Sequence, residues 1–307
     1  MIDPLPTERT DRPFFGPEYA CALVNLATST MRSAHNFDGA FSPWKAIYFM
    51  FVEEHLAAFQ KAYVQPPEIV STNKSEGKSP FAWFKPVDRF DVDVAITALP
   101  VSVNRAQLLA MARSEEIGTA ELCISILAWG GMHGANRRRL FERPARPWLE
   151  LAHEVRMGSL SRSEAYDAFA ALRTGEAMLI GMGPAYFTKL LYFLAPRHSK
   201  GYILDQWLGC SINLITGRML VHLNENIVWK RPTSGLVAEI NSFVSDANTG
   251  ENYENFCQAV EALSRSLGGK WTPDATERAL ISDGGRRPHE WRIYVERMRQ
   301  HRLVGGL

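Results

Sequence analysis

Apolar positions recur three and four residues apart through most of this chain, the spacing that gathers them on one face of a helix. The pattern predicts helices over Pro17–Met31 and Pro43–Ala62, then a polar stretch, Gln65–Pro80, whose Pro, Ser, Lys and Gly content reads as a loop or internal linker. Phe81, Trp83 and Phe84 follow as an aromatic anchor that docks the chain back onto a core. Seven helical segments are predicted between Asn104 and Leu194: Asn104–Ser114, Thr119–Trp129, Ala135–Glu142, Pro147–Met157, Arg162–Leu172 and a last pair across a glycine hairpin. Their short Gly- and Pro-containing connections favour neighbouring, packed helices. Met219–Lys230 alternates like a strand pair turning around Asn224–Asn226, and Leu236–Val244, Tyr253–Ser266, Thr276–Ser282 and Pro288–Arg302 return to helical spacing. The predicted class is mainly α, with residues 1–103 as an N-terminal helical region, 104–217 as a core and 218–307 packing back on the N-terminal part.

With 46% hydrophobic and 22% charged residues over 307 positions, the composition is that of a folded protein rather than a disordered one. Met1–Pro13 has the acids and prolines of a surface segment, not the apolar stretch of a signal peptide, and no run approaches the roughly 20 apolar residues that cross a bilayer. The expectation is a cytoplasmic protein with no membrane partner. Cys21, Cys123, Cys210 and Cys257 lie far apart without metal or iron–sulfur spacing, so they read as reduced thiols. A net charge of +1 does not announce a nucleic-acid binder; any such affinity must come from a local positive face.

Ala177–Leu191 offers one. An apolar turn, Met178-Leu179-Ile180, leads into Gly181-Met182-Gly183, and Pro184 opens a second helix. Glycine permits the sharp reversal, and proline suits the first helical position, where its missing N–H is no loss. The unpaired N–H groups of that first turn, with Ala185 and Tyr186 among its residues, make a seat for an anion such as a DNA phosphate. Taken alone, the same glycines also fit a plain corner between two helices. Asp205, in Ile203-Leu204-Asp205-Gln206-Trp207, stands 22 positions after Gly183. It fits an N-cap for the helix starting at Gln206, and a fixed carboxylate also fits chemistry that builds positive charge.

The hairpin Gly181-Met182-Gly183 and its spacing to Asp205 resemble the helix-hairpin-helix DNA glycosylases, over roughly residues 115–217. The resemblance implies that family's fold, two helical subdomains flanking a DNA-binding cleft, a duplex DNA partner carrying a modified base, a monomer, and Asp205 as catalytic carboxylate. Breaking an N-glycosidic bond leaves positive charge on the sugar, which a fixed carboxylate stabilises while orienting water. Bifunctional relatives carry a nucleophilic lysine two residues after the second hairpin glycine; here that position is Ala185, which cannot form a Schiff base. Lys189 lies one turn deeper on the same face, as a phosphate contact or an out-of-register nucleophile. The expectation is a monofunctional glycosylase that leaves an abasic site and requires no cofactor; a monovalent cation on hairpin carbonyls is implied by the resemblance.

Such enzymes flip the target nucleotide out and fill the gap. In relatives the wedge lies in a loop before the hairpin, which here points to the Gly-rich segment Ile126–Asn136, with Met132 and His133 as wedge candidates. Arg137-Arg138-Arg139, Arg143 and Arg146 follow, and Arg137 is assigned to DNA; a helix cannot turn all of them one way. Arg286, Arg287, Arg292, Arg297, Arg299 and Arg302 form a second basic cluster that reads mainly as a solvated helix. Base-pocket candidates are Trp129, Trp207 and Gln206; Trp44, Trp83, Phe84, Trp229 and the polar group His35, Asn36 and Asp38 are further options. Trp129–Leu140 together with Gly183–Trp207 resembles bacterial proteins of the 8-oxoguanine glycosylase fold, some of which excise modified cytosines, such as glucosylated 5-hydroxymethylcytosine, in anti-phage defence. That ranks a bulky modified base in foreign DNA first, 8-oxoguanine repair second and a non-catalytic DNA-binding module third.

Overall fold

The computed structural model describes residues 49–307 except 68–76, 86–89, 176–178, 231–236, 284–286 and 305–307. The predictions at Pro17–Met31, His35–Trp44 and Cys21 fall outside the described residues. Described residues form twelve α-helices and one two-stranded sheet, so the class is mainly α as expected. In chain order the helices are α1 (Glu53–Ala62), α2 (Pro80–Phe84), α3 (Arg105–Arg113), α4 (Thr119–Trp129), α5 (Gly134–Phe141), α6 (Arg146–Met157), α7 (Arg162–Thr174), α8 (Pro184–Leu194) and α9 (Gln206–Thr216). Strands β1 (Leu223–Lys230) and β2 (Val237–Val244) follow, then α10 (Gly250–Leu267), α11 (Pro273–Ile281) and α12 (Glu290–Val304).

Local chemistry sets several of these ends. Asn104 with Gln107, Ser161 with Glu164 and Thr249 with Asn252 are reciprocal capping boxes that open α3, α7 and α10. Two helices are apolar nearly all round and form the centre. Leu122 through Ala128 of α4 are all buried, as are Phe187, Thr188 and Leu190–Leu194 of α8. Around α8 pack α3, α4, α6 and α7, and α9 rests against α10, α11 and α12. The aromatic anchor is real: Trp83 and Phe84 are buried against Phe141. Cys123, Cys210 and Cys257 are buried free thiols.

Three expectations are corrected. Phe49–Val52 is not helical; α1 begins at Glu53, and the Val52 N–H instead bonds the Ile215 carbonyl (2.7 Å). Asn224 and Asn226 lie inside β1 rather than in a turn, exposed at alternate positions opposite Phe243 and Asn241. The partner strand is Val237–Val244, the segment expected to be helical: it alternates as well as it cycles, and antiparallel pairing with β1 decides between the two.

Candidate active site

The reversal before α8 requires glycine on two counts. Gly181 has φ +97°, and a β-carbon there would fall 2.3 Å from the Asn136 carbonyl oxygen of α5. Leu179 and Ile180 belong to the turn itself rather than to the end of a helix. The Met182 side chain is wholly buried under the turn, so what Gly181-Met182-Gly183 can offer a phosphate is backbone. No side chain caps α8 at Gly183, and Pro184 stands at its start. Pro184 has no N–H and the Tyr186 N–H bonds back to the Gly183 carbonyl (2.8 Å), so the Ala185 N–H is what this first turn has to offer an anion. Half-buried Ala185 and Tyr186 lie on that turn. Beside it, the Arg173 guanidinium donates to the Leu179 carbonyl (3.2 Å) and pairs with Asp246 (2.6 Å). A monovalent cation here would share the Leu179 carbonyl with that guanidinium, so these residues do not fit one.

Asp205 arrives on a buried extended segment, Gly201–Leu204, fastened at two points. The Tyr253 hydroxyl donates to the Tyr202 carbonyl (2.7 Å), and the Leu204 N–H donates to the hydroxyl of fully buried Thr188 on α8 (3.0 Å). Asp205 caps α9: its Oδ1 accepts from the Trp207 and Leu208 N–H groups, each at 2.9 Å. Its Oδ2 accepts no hydrogen bond from the described residues. Capping thus occupies one oxygen of the carboxylate, and the cap holds the other in place.

Lys189 is brought to the same locality. Its stem lies against Gly130, where a β-carbon would be 2.6 Å from the lysine Cδ, and its ammonium donates to the Ala185 carbonyl and sits 5.2 Å from the Tyr186 ring. Burial pushes the ammonium below its usual range, against the opposing pull of Asp205 and then Glu277. Glu277 of α11 is completely buried; one oxygen pairs with Arg105 (2.7 Å) and the other, Oε1, has no partner. Burial raises its carboxyl above the ordinary carboxylate range. On the other side of Asp205, Arg292 lies 3.7 Å over the Trp207 ring and donates to the Ile281 (2.6 Å) and Ser282 (2.8 Å) carbonyls. Arg299 and Arg302 pair with Glu225, so three members of the expected solvated cluster are engaged within the fold.

The other proposed contacts divide. Met132 is fully buried and its carbonyl is held by the Lys78 ammonium (2.8 Å) and the Trp83 indole (3.1 Å), which corrects it as a wedge; the adjacent glycines made a loop, not an exposed tip. His133 is exposed and caps α5 through Nδ1 (3.3 Å to the Ala135 N–H), leaving it the wedge candidate in that loop. Arg137 is turned inward, donating to the Trp83 carbonyl. Half-buried Trp129 meets Phe193 edge-on at 5.0 Å. The Gln206 amide lies between the Ser242 carbonyl and the Trp207 indole, and Arg292 covers the Trp207 ring, so Gln206 and Trp207 form one cluster with Arg292. Sequence reasoning missed Thr188, Glu277, Arg105 and the partnership of Gly130 with Lys189. Only Gly130 left a signal, in the glycine richness of its loop.

A family model described as "Putative 8-oxoguanine DNA glycosylase OGG-like protein" matches residues 71–281, about two thirds of the chain, including the hairpin, Lys189, Asp205 and Glu277. No curated protein and no solved structure matches the chain at the level of significance applied.

Proposed function

Starting from a chain that belongs to the 8-oxoguanine DNA glycosylase OGG-like family, we propose that it is a monofunctional DNA glycosylase that extrudes a modified base and hydrolyses its N-glycosidic bond. The observation that carries this reading is the division of labour in Asp205, with Oδ1 tied to the α9 backbone and Oδ2 left unbonded by the described residues. In the reaction the bond from C1′ to the base nitrogen breaks with its electron pair leaving on the base. The carboxylate stabilises the cationic sugar, and water adds at C1′ as Oδ2 takes its proton. An abasic site and a free base result. The hairpin backbone positions the duplex without reading its sequence. Ala185 supplies no amine, and no step passes through a metal ion; no helix among the described residues is long and apolar enough to cross a membrane.

The preferred substrate is a bulky modified base of foreign DNA, such as a glucosylated 5-hydroxymethylcytosine, in keeping with anti-phage defence. The support is the resemblance of Trp129–Leu140 and Gly183–Trp207 together with alanine where oxidised-guanine lyases keep lysine. A specific observation favours a second reading, 8-oxoguanine excision with strand cleavage: Lys189 is, with Arg292, a cation that Asp205 acts on, its stem packs on Gly130, and burial eases loss of its proton. Incubation with unmodified, 8-oxoguanine-containing and hypermodified phage DNA distinguishes the two. Free base and alkali-labile sites from phage DNA alone support the first. Release from oxidised DNA, with a borohydride-trapped adduct lost in Lys189→Ala, replaces it with the second. Binding without release removes both.

A further inference from the structure

The far end of α8 holds a cleft that the glycosylase chemistry does not use. Its volume is about 760 Å³, and its walls come from α3, the C-terminal half of α8 with the segment Ala195–Lys200, Arg156 of α6, and α11. At about 1.5 Å per helical residue, its Ala195 wall stands roughly 18 Å along the helix from Gly183. The two regions are parted by the Arg105–Glu277 pair: Arg105 lines the cleft, whereas Glu277 feels Asp205.

The charge in this cleft is unbalanced. Arg105 and Lys200 are neutralised by Glu277 (2.7 Å) and Asp274 (2.5 Å). Arg113, Arg156, Arg197 and Arg278 also line it, and none has a carboxylate within ion-pair distance among the described residues. Arg156 spends its donors on the Ser114 (2.6 Å) and Ile117 (2.7 Å) carbonyls, which position the guanidinium without cancelling its charge. Arg113 and Arg197 are exposed. Four uncompensated guanidiniums around a concavity focus positive potential into it. Other arginines of the fold are neutralised, Arg162 by Glu254 and Glu261, Arg173 by Asp246 and Arg299 by Glu225, whereas Arg137 and Arg292 bond carbonyls. The cleft also has an apolar wall, in which Leu109, Ala112, Phe193, Leu194 and Pro196 take part. A ligand that satisfies both halves is planar and apolar-faced at one end and multiply anionic at the other.

We propose that this cleft is a second binding site, separate from the Asp205 centre, for a nucleoside phosphate. The base lies on the Leu109–Phe193 wall and the phosphate is gripped by Arg113, Arg197 and Arg278. Guanidinium forks match phosphate oxygens in pairs, and the volume is that of an ordinary small-ligand site. The same chemistry is presented by a free nucleotide and by the 5′-phosphorylated end of a DNA strand.

Calorimetric titration of the full chain with AMP, ATP, inorganic phosphate and a 5′-phosphorylated oligonucleotide tests this. AMP or ATP binding identifies a free nucleotide as the source, and binding of the oligonucleotide but not its unphosphorylated counterpart identifies a strand end. Arg113→Glu/Arg197→Glu, at exposed positions where folding is retained, weakens the binding at least tenfold. In the unaltered protein, affinity also falls as salt is raised. Absence of binding by all four probes at millimolar concentration overturns the proposal, as does binding indifferent to the double variant and to salt. Phosphate binding as tightly as AMP overturns the part assigned to the base.

Discussion

The two ends of α8 attract anions by different means. At its N-terminus positive potential comes from backbone, with the Ala185 N–H of a first turn that no side chain caps, and the cations nearby are committed, Arg173 to Asp246, Arg137 to the Trp83 carbonyl and Arg292 to Trp207 and two carbonyls. At its C-terminus, where the helix dipole is unfavourable to anions, the potential comes from arginine side chains with no carboxylate partner among the described residues. Backbone donors are fixed by the fold and hold a phosphate in one place, which suits a site that must set a sugar beside Asp205. Free guanidiniums give more attraction and less geometry, which suits capture. Near Asp205 the cations of the described residues are engaged, while Oδ2 of Asp205 and the buried Oε1 of Glu277 are left over, and the Asp205 oxygen is where chemistry is expected.

The largest effect that would break this contrast is at that oxygen. Asp205→Asn keeps a side-chain oxygen to cap α9, since asparagine caps as well as aspartate, but removes the charge. Base release is expected to fall by at least about 100-fold, the scale on which one preorganised electrostatic group acts, with DNA affinity and thermal stability nearly unchanged. Retained release removes Asp205 from the mechanism. Next comes the turn. In Gly181→Val a side chain meets both an unfavourable φ and the Asn136 backbone, so a loss of about 2–4 kcal/mol is expected. Urea unfolding reads that loss, and DNA affinity should fall with it, whereas nucleotide binding at the other end of α8 survives wherever the protein remains folded.

These two residues were legible from the sequence because their information is local. Gly181-Met182-Gly183 is three consecutive positions, and Asp205 follows within a span that one helix and one short segment must fill. What could not be read depends on contacts between distant segments. Glu277 looks like any helical glutamate until Arg105, 172 positions away, is found against it. Arg292 looks solvated until Trp207 lies beneath it. Met132 shows how adjacency misleads, since glycine on either side of a residue marks a loop but not which way the side chain turns. The β-hairpin failed for another reason: Val237–Val244 satisfies two periodicities, and only its pairing partner chooses between them.

A subtler way to sharpen the contrast is to loosen the delivery of Asp205 without touching it. Thr188→Val preserves shape but leaves the Leu204 N–H without its acceptor in a buried setting, at a cost of about 1–3 kcal/mol. If Thr188 is a positioning residue, the turnover of bound DNA falls more than affinity for DNA does, and Thr188→Ser, which restores the hydroxyl, recovers both stability and rate. Parallel loss of affinity and rate, without recovery in the serine variant, would make Thr188 a packing residue only.

The smallest effect concerns Lys189, where pH supplies the test. Its folded-state pKa lies below the ordinary 10.5 because burial disfavours the ammonium more than Asp205 and Glu277 favour it. Between the folded and unfolded values the unfolded chain binds more protons, so raising the pH through that window stabilises the fold. Below the window the cost of the buried charge is fully present. Lys189→Met keeps the stem that packs on Gly130 and removes that cost. Its Tm at neutral pH should therefore exceed the parent's by about 2–4 °C, on the order of 1 kcal/mol in a domain of this size, and the gap should close as the pH approaches 10.5. A lower Tm at neutral pH would mean that attraction to Asp205 outweighs burial. Lys189 would then be an ion-pair partner holding the carboxylate, and the N-terminal end of α8 would owe part of its order to it.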